Sequence, residues 1–317
     1  MTTALPVNIQ DCKAVTDVRA DVLRAAAGSL GTDEILAIRT DLNRGDCTEL
    51  YQAFGHSWRL GFRRHNDLIW TRSNKSSFTV RTVERSLQDY VSMISNGEPF
   101  AFLRYGDGAF GCALDTIYPG FGFQRFTPEL REDIRRSLVE HYDDPRYIMA
   151  LAPQYHFEGM GMWGNVVHFL HDHGIDVEWA STSTFVKALI LGEMGPFVDA
   201  LRNTKTLVVG PPKFAAVAGG VLPDAAFLPI PPRHCHTQKD EIVRAILAQD
   251  LPAVITISAG PAAQPLIHTL YPLIGQHSTL ISMGSVWGPY VGVLEHECYR
   301  RLAGETMRRN LGTGADG

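Results

Sequence analysis

The chain is poor in cysteine, and what cysteine it has forms no pattern. Cys12, Cys47, Cys112, Cys235 and Cys298 are scattered, odd in number and without a C-x-x-C pair. That spacing argues against a disulfide framework and leaves reduced thiols of a cytosolic protein as the expectation. Long apolar runs are missing as well, since none approaches the roughly 18–20 residues that span a bilayer. The opening Met-Thr-Thr-Ala-Leu-Pro-Val-Asn lacks the basic start and apolar stretch of a signal peptide, so a cytoplasmic location is expected. Surplus positive charge is absent too: the net charge is −5 and the pI about 6.2. This argues against an extensive basic surface for nucleic acid, although Arg59, Arg63, Arg64 and His65 make a local cluster. There is no internal repeat and no low-complexity tract.

What the chain does have is size and an ordinary globular composition. Its 317 residues, 45% hydrophobic and 20% charged, suffice for one large α/β domain with an extension, or for two domains. Residues 15–56 carry apolar positions at helical spacing (Val18, Val22, Leu23, then Ile35, Leu36, Ile38, Leu42). Residues 1–75 are therefore read as a helical amino-terminal extension, and 76–317 as the main domain. A helix is expected over 80–95, ending at Asn96-Gly97. From there short apolar runs at 100–105, 147–152, 175–180, 206–209, 226–230, 253–258 and 278–283 alternate with helix-like segments at 128–141, 160–172, 184–201, 213–219, 239–249 and 262–273. Such alternation predicts a Rossmann-like α/β fold, with a mainly parallel sheet and helices on both faces.

In open α/β sheets ligands bind at the carboxyl ends of the strands, so the strand ends carry the chemistry. Residues 100–108, Phe-Ala-Phe-Leu-Arg-Tyr-Gly-Asp-Gly, place Arg104, Gly106, Asp107 and Gly108 where an apolar strand stops. An arginine beside a carboxylate suits a phosphate held with a divalent cation; a plain glycine turn is the alternative. At 206–213, Thr-Leu-Val-Val-Gly-Pro-Pro-Lys, Gly210 and Lys213 either meet an anion or make a turn. The G-x-x-x-x-G-K spacing of a P-loop is absent. At 254–264, Val-Ile-Thr-Ile-Ser-Ala-Gly-Pro-Ala-Ala-Gln, Ser258 and Gly260 precede a proline-started helix and read as a phosphate loop. Trp287, after the last run, either stacks on a base or sugar or is an ordinary core tryptophan.

Residues 231–241 gather Arg233, His234, His236, Asp240 and Glu241. His234 or Asp240 is a candidate general base, whereas Thr237 with Asp240 also fits a plain helix start. His168, His171 and His173 resemble a metal cluster but lack a carboxylate partner, and His173-Gly174 reads better as a helix end. Gln154, His156 and Glu158 follow the second run and are candidate active-site lining.

The segment Phe102-Leu-Arg-Tyr-Gly-Asp-Gly108 resembles the GT-D-type glycosyltransferases, whose early strand ends in an Arg-aromatic-Gly-Asp-Gly-Glu signature. The resemblance continues in order through Leu207–Pro211, Pro231–Ile242, Ile257–Ala263 and Ile281–Gly284, and covers residues 80–295. It implies transfer of a sugar from a nucleoside-diphosphate sugar to an acceptor hydroxyl, with a divalent metal, Mn²⁺ or Mg²⁺, held by an Asp-x-Glu pair. Asp107 matches the aspartate and Arg104 the arginine, but Ala109 stands where the glutamate belongs. Losing that carboxylate removes a ligand and a charge from a hard-cation site unless Asp115 or Glu158 replaces it. Under this resemblance Arg104 neutralises the diphosphate, Asp107 holds metal or donor sugar, and His234, Asp240 or Glu158 deprotonates the acceptor. A non-catalytic nucleotide-sugar-binding protein and another Rossmann-like enzyme, such as a phosphohydrolase, are the alternatives. The amino-terminal segment would recruit the acceptor or join copies into a homo-oligomer.

Overall fold

The computed structural model describes residues 35–39, 58–63, 67–72, 80–83, 85–116, 120–121, 124–158, 160, 162–294, 297–300, 302 and 304–312. Contacts divide the chain into two compact units, one of Met1–Arg81, Ala113–Tyr118 and Pro153–Val177, the other of Thr82–Cys112, Pro119–Ala152 and Glu178–Gly317. In the first, β1 (Ile35–Arg39), β2 (Trp58–Arg63) and β3 (Asp67–Arg72) form an antiparallel sheet in the order β1-β3-β2. The described part of residues 1–75 is thus strand, where helical spacing was expected. Ile35-Leu36-Ala37-Ile38 serves a strand as well as a helix, because a short apolar run fits either period. The remainder of that expected extension lies outside the described residues. The same unit contains helices at Gln154–Glu158 and Trp163–Asp172.

The second unit is built on an eight-stranded sheet. Its strands are β4 (Arg81–Thr82), β5 (Ala101–Tyr105), β8 (Tyr147–Leu151), β9 (Glu178–Ser181), β10 (Thr206–Gly210), β11 (Ala226–Pro229), β12 (Val254–Ile257) and β13 (Thr279–Ser282). A two-stranded ribbon, β6 (Gly120–Phe121) with β7 (Gln124–Arg125), stands apart from it. The order is β11-β10-β12-β13-β5-β8-β9-β4, and β11 through β9 run parallel. All seven apolar runs of the sequence are these parallel strands, and the α/β expectation holds. β10 leads outward to β11 while β12 leads the other way to β13, the topology that opens a crevice at the carboxyl edge.

Local chemistry sets the helix ends. The helix expected over 80–95 begins at Leu87, because Ser86 caps it in a reciprocal box with Asp89 and residues 81–82 are edge strand. Thr127 caps Pro128–Val139, with proline in the first turn. The segment 184–201 is two helices, Thr184–Leu191 and Gly195–Arg202, separated at Gly192 with φ +77°. Residues 212–214 form a 3-10 turn and 217–221 a π-helical turn, in place of one helix. Lys239–Leu247 and Ala263–Ile274 follow expectation. No helix among the described residues is long and apolar enough to cross a membrane.

One face of the sheet packs an aromatic core. Tyr90, Phe102 and Phe185 lie 5.2–5.4 Å apart by ring centroid, with Phe197 5.0 Å beyond Phe185. Such tilted and edge-on pairs add to the area they bury. The chain's carboxyl end closes this layer through Asn310, fully buried, whose Oδ1 accepts from the Met194 N–H at 3.1 Å and whose Nδ2 donates to the Leu189 carbonyl at 2.7 Å. Asn310 therefore joins the end of one helix to the start of the next. Asn310→Ala strands both backbone groups and should cost about 2–4 kcal/mol, read by chemical denaturation; a loss below about 0.5 kcal/mol would show that water replaces the amide without penalty.

Candidate functional site

The site is assembled by register. Ile257 pairs with Ser282 and Ile281 with Phe102, and since side chains alternate along a strand, Ser258, Met283 and Arg104 continue these rows on one face at the carboxyl edge. Backbone bonds extend the ladder there, from the Ser258 N–H to Val209 at 2.8 Å and from the Met283 N–H to Ile257 at 2.9 Å. Arg104 closes the row, its Nη1 donating to the Met283 carbonyl at 2.8 Å. The Arg104 carbonyl in turn accepts from the Gln264 amide, in the first turn of the helix that follows the Gly260 bend. Arg104 and the glycine loop near 260 thus converge.

Glycines at two bends make this geometry affordable. Gly260 and Gly284 both have φ +56°, the left-handed region that penalises a side chain. A Cβ on Gly284 would lie 2.5 Å from Arg104 Nη1, so the guanidinium occupies the space that the missing side chain leaves. Gly210 serves packing instead: a Cβ there would sit 2.9 Å from the Phe214 ring. A Cβ on Gly106 would meet nothing within 4 Å, and Gly108 is buried.

The electrostatics favour an anion. Burial pulls the Arg104 guanidinium below the ordinary arginine value, against the opposing influence of Tyr299 and Asp107. Its Nε is buried without a partner, as are Thr256 Oγ1, Ser258 Oγ, Gln264 Oε1 and Trp287 Nε1. Native interiors leave few polar groups unpaired, and here four such atoms belong to residues on or following β5, β12 and β13 and the fifth to Gln264 in the first turn of Ala263–Ile274. The ring of Trp287 is fully buried, 5.5 Å from Tyr290. Base stacking by that ring is therefore corrected to a core role, with only the indole N–H unpartnered.

The other candidates fall in several places. Asp107 opens the short helix Asp107–Ala113 and lies within electrostatic reach of Arg104. Lys213 is exposed, its ammonium 5.4 Å from the Phe214 centroid. Asp240 is exposed in the first turn of Lys239–Leu247, where a carboxylate suits the helix dipole. Glu158 ends Gln154–Glu158 in the smaller unit, with its side chain outside the described residues, and Asp115 belongs to the same unit. His173 Nδ1 pairs with the Phe169 carbonyl at 2.9 Å, the helix-end role.

Among the described residues no group of three His, Cys, Asp or Glu side chains could hold a metal ion. Ala109, in the glutamate position, is 3% exposed, and Asp107 lies within the electrostatic reach of the Arg104 guanidinium. Among the described residues, one carboxylate beside a guanidinium is short of the oxygen ligands and negative charge that a hard divalent cation takes.

Sequence reasoning missed a second cluster beside the loop after β11. Asp133 Oδ2 pairs with His236 Nε2 at 2.8 Å and accepts from Lys239 Nζ at 2.7 Å, tying that loop to the helix Pro128–Val139. No sequence signal joins these groups, which lie about a hundred residues apart. Gln264 was in view within the Pro-Ala-Ala-Gln run, but only the fold shows that its amide reaches β5.

Two of these contacts have measurable consequences. Burial raises the Asp133 pKa, but hydrogen bonds from Lys239 and His236 outweigh it and leave a net lowering. A carboxyl lowered by folding contributes stability above its unfolded value of about 3.9, and that contribution is lost as pH falls through the folded value. Asp133→Asn should flatten this acid limb of a stability-against-pH curve; an unchanged limb would assign it to other carboxyls. Gly284→Ala should cost about 1–2 kcal/mol from backbone strain and displace the Arg104 guanidinium, read by chemical denaturation; a loss below about 0.5 kcal/mol would show that the bend accepts a side chain without strain.

No protein-family model and no curated protein matches the chain. Solved structures do. A new glycosyltransferase of domain of unknown function 1792 from Streptococcus sanguinis superposes with a TM-score of 0.51 at 17% identity, over 66% of this chain and 84% of that one. A second structure of domain 1792, described as having a distinct glycosyltransferase fold, matches with a TM-score of 0.51 at 16% identity, over 67% of this chain and 81% of its own. The parallel α/β sheet of this chain thus has a fold shared with these glycosyltransferases of domain 1792.

Proposed function

We propose that this chain is a glycosyltransferase that binds a nucleoside-diphosphate sugar at the carboxyl edge of its sheet and transfers the sugar to an acceptor hydroxyl in the cytoplasm. The observation that carries this reading is the row formed by Ser258, Met283 and Arg104, where a buried guanidinium and a buried hydroxyl have unpartnered atoms beside the glycine bends. A diphosphate supplies what those groups lack: acceptor oxygens for Arg104 Nε and Ser258 Oγ, and negative charge for a desolvated cation. The helix Ala263–Ile274, entered through Gly260 and Pro261, adds backbone dipole of the same sign.

Glycosyl transfer expels a nucleoside diphosphate, so charge grows on the phosphate oxygens as the sugar bond breaks. Fixed donors aimed at that charge lower the barrier, and they act more strongly where water is excluded. Arg104 would act in this way: bonded to the Met283 carbonyl and packed over Gly284, it needs little reorganisation when the charge appears. Asp107 would orient the donor sugar through its hydroxyls.

The replacement of the motif glutamate by Ala109 favours a second reading, a nucleotide-sugar-binding protein without turnover. Calorimetry with UDP-, GDP- and dTDP-sugars, with and without Mn²⁺, tests the binding that both readings share. One nucleotide class should bind, and Arg104→Lys, which keeps the charge but loses the fork, should weaken it about tenfold or more. No heat with any donor overturns both. Release of nucleoside diphosphate by the unaltered chain supports transfer, and binding without release supports the second reading.

A further inference from the structure

His234 has a backbone and a ring that together specify what it can do. It sits in the left-handed region, φ 54° and ψ 33°, a conformation sparsely populated by non-glycine residues and concentrated at ligand sites. Its ring Nδ1 accepts the backbone N–H of Arg125 at 2.9 Å. A backbone amide can only donate, so Nδ1 keeps its lone pair and the proton of the neutral ring lies on Nε2. Among the described residues nothing pairs with that Nε2–H.

The neighbouring residue fixes where this donor stands. Cys235 is 5% exposed and its thiol donates to the Ala259 carbonyl at 3.5 Å, which seats His234 beside the bend that carries Ser258 and Gly260. His236, two residues on, is held by Asp133 at 2.8 Å. The segment is pinned at Cys235 and His236, directly after a strained residue, and the half-buried His234 ring is the part left to meet a ligand. The surrounding charge is positive, with Arg125 and Arg233 both exposed.

Resting on the functional reading above, we propose that His234 is a neutral hydrogen-bond donor that orients a diphosphate oxygen of the bound nucleotide through Nε2–H. It is not the base that takes the acceptor's proton: the nitrogen facing the ligand already carries a hydrogen, and the nitrogen with a lone pair is engaged by Arg125. Histidine is needed because it satisfies the Arg125 amide with one nitrogen and donates with the other.

Two variants separate this role from a structural one. Asn tolerates the left-handed backbone and can accept from Arg125 through its side-chain oxygen, but its amide is too short to donate from the Nε2 position. Gln carries an amide nitrogen near that position. His234→Asn should therefore keep the wild-type melting temperature and weaken binding of the nucleoside diphosphate, and of inorganic pyrophosphate, about tenfold, as expected for one hydrogen bond to a charged group. His234→Gln should restore most of the binding but leave the Arg125 amide unpaired, seen as a lowered melting temperature. The kcat/KM pH profile of His234→Asn should keep the wild-type acid limb, and ¹⁵N spectra should show the Nε2–H tautomer. Unchanged binding in His234→Asn, loss of the acid limb, or an Nδ1–H tautomer overturns the proposal while leaving nucleotide binding intact. Failure of the wild type to bind either nucleoside diphosphate or pyrophosphate overturns it together with the functional reading.

Discussion

The site depends on a buried guanidinium held by a neighbouring strand. Arg104 would be an expensive residue at the edge of a hydrophobic core if its charge faced only hydrocarbon, because desolvation penalises an unpaired cation. The Met283 carbonyl, the electrostatic reach of Asp107 and the space above Gly284 make the arrangement tolerable. None of them saturates the guanidinium, whose Nε stays unpartnered. The anion of the proposed function would meet that group in a preorganised setting, since the strands on either side are bonded along their length.

That rigidity comes from the layer below. Phe102 is two residues before Arg104 on the same face of β5 and packs edge-on against Tyr90 and Phe185. The register that orders this aromatic layer therefore also sets the height of the guanidinium. A slip of one residue would exchange the two faces of β5, burying Tyr105 where Phe102 and Arg104 now point. Core packing and ligand geometry are in this sense one constraint. The loop after β11 is set differently, by Asp133 with His236 and Lys239 and by Cys235 on Ala259, so its polar anchors fix His234 without reference to the aromatic core.

The parts legible in the sequence are those in which local chemistry has little competition. The seven apolar runs became the seven parallel strands because short apolar runs bounded by glycine and proline suit a parallel sheet, and all but the edge strand β11 are at least half buried. The helix-like segment at 128–141 is the helix Pro128–Val139, capped by Thr127. The 80–95 segment was misjudged at its beginning, where the Ser86–Asp89 capping box decided the boundary. The helical reading of Ile35–Ile38 failed for a related reason: four apolar-rich residues fit a strand as readily as a helix, and pairing with β3 settled the matter. Trp287 was ambiguous because stacking and core burial use the same residue type.

The sequence by itself determined the alternating architecture and the positions of the glycine-bearing strand ends, since both follow from hydrophobic period and from the backbone freedom of Gly260 and Gly284. Tertiary structure alone decided which of those ends meet. Strand order places β13 beside β5 although some 175 residues separate them, and it is this pairing that sets the Met283 carbonyl against Arg104. Tertiary structure also chose the protonated nitrogen of His234, because the amide that fixes it belongs to Arg125, far away in the chain. Local residues encode periods and turns; long-range pairing is a collective minimum of the whole sheet, and side-chain chemistry at its edge inherits that minimum.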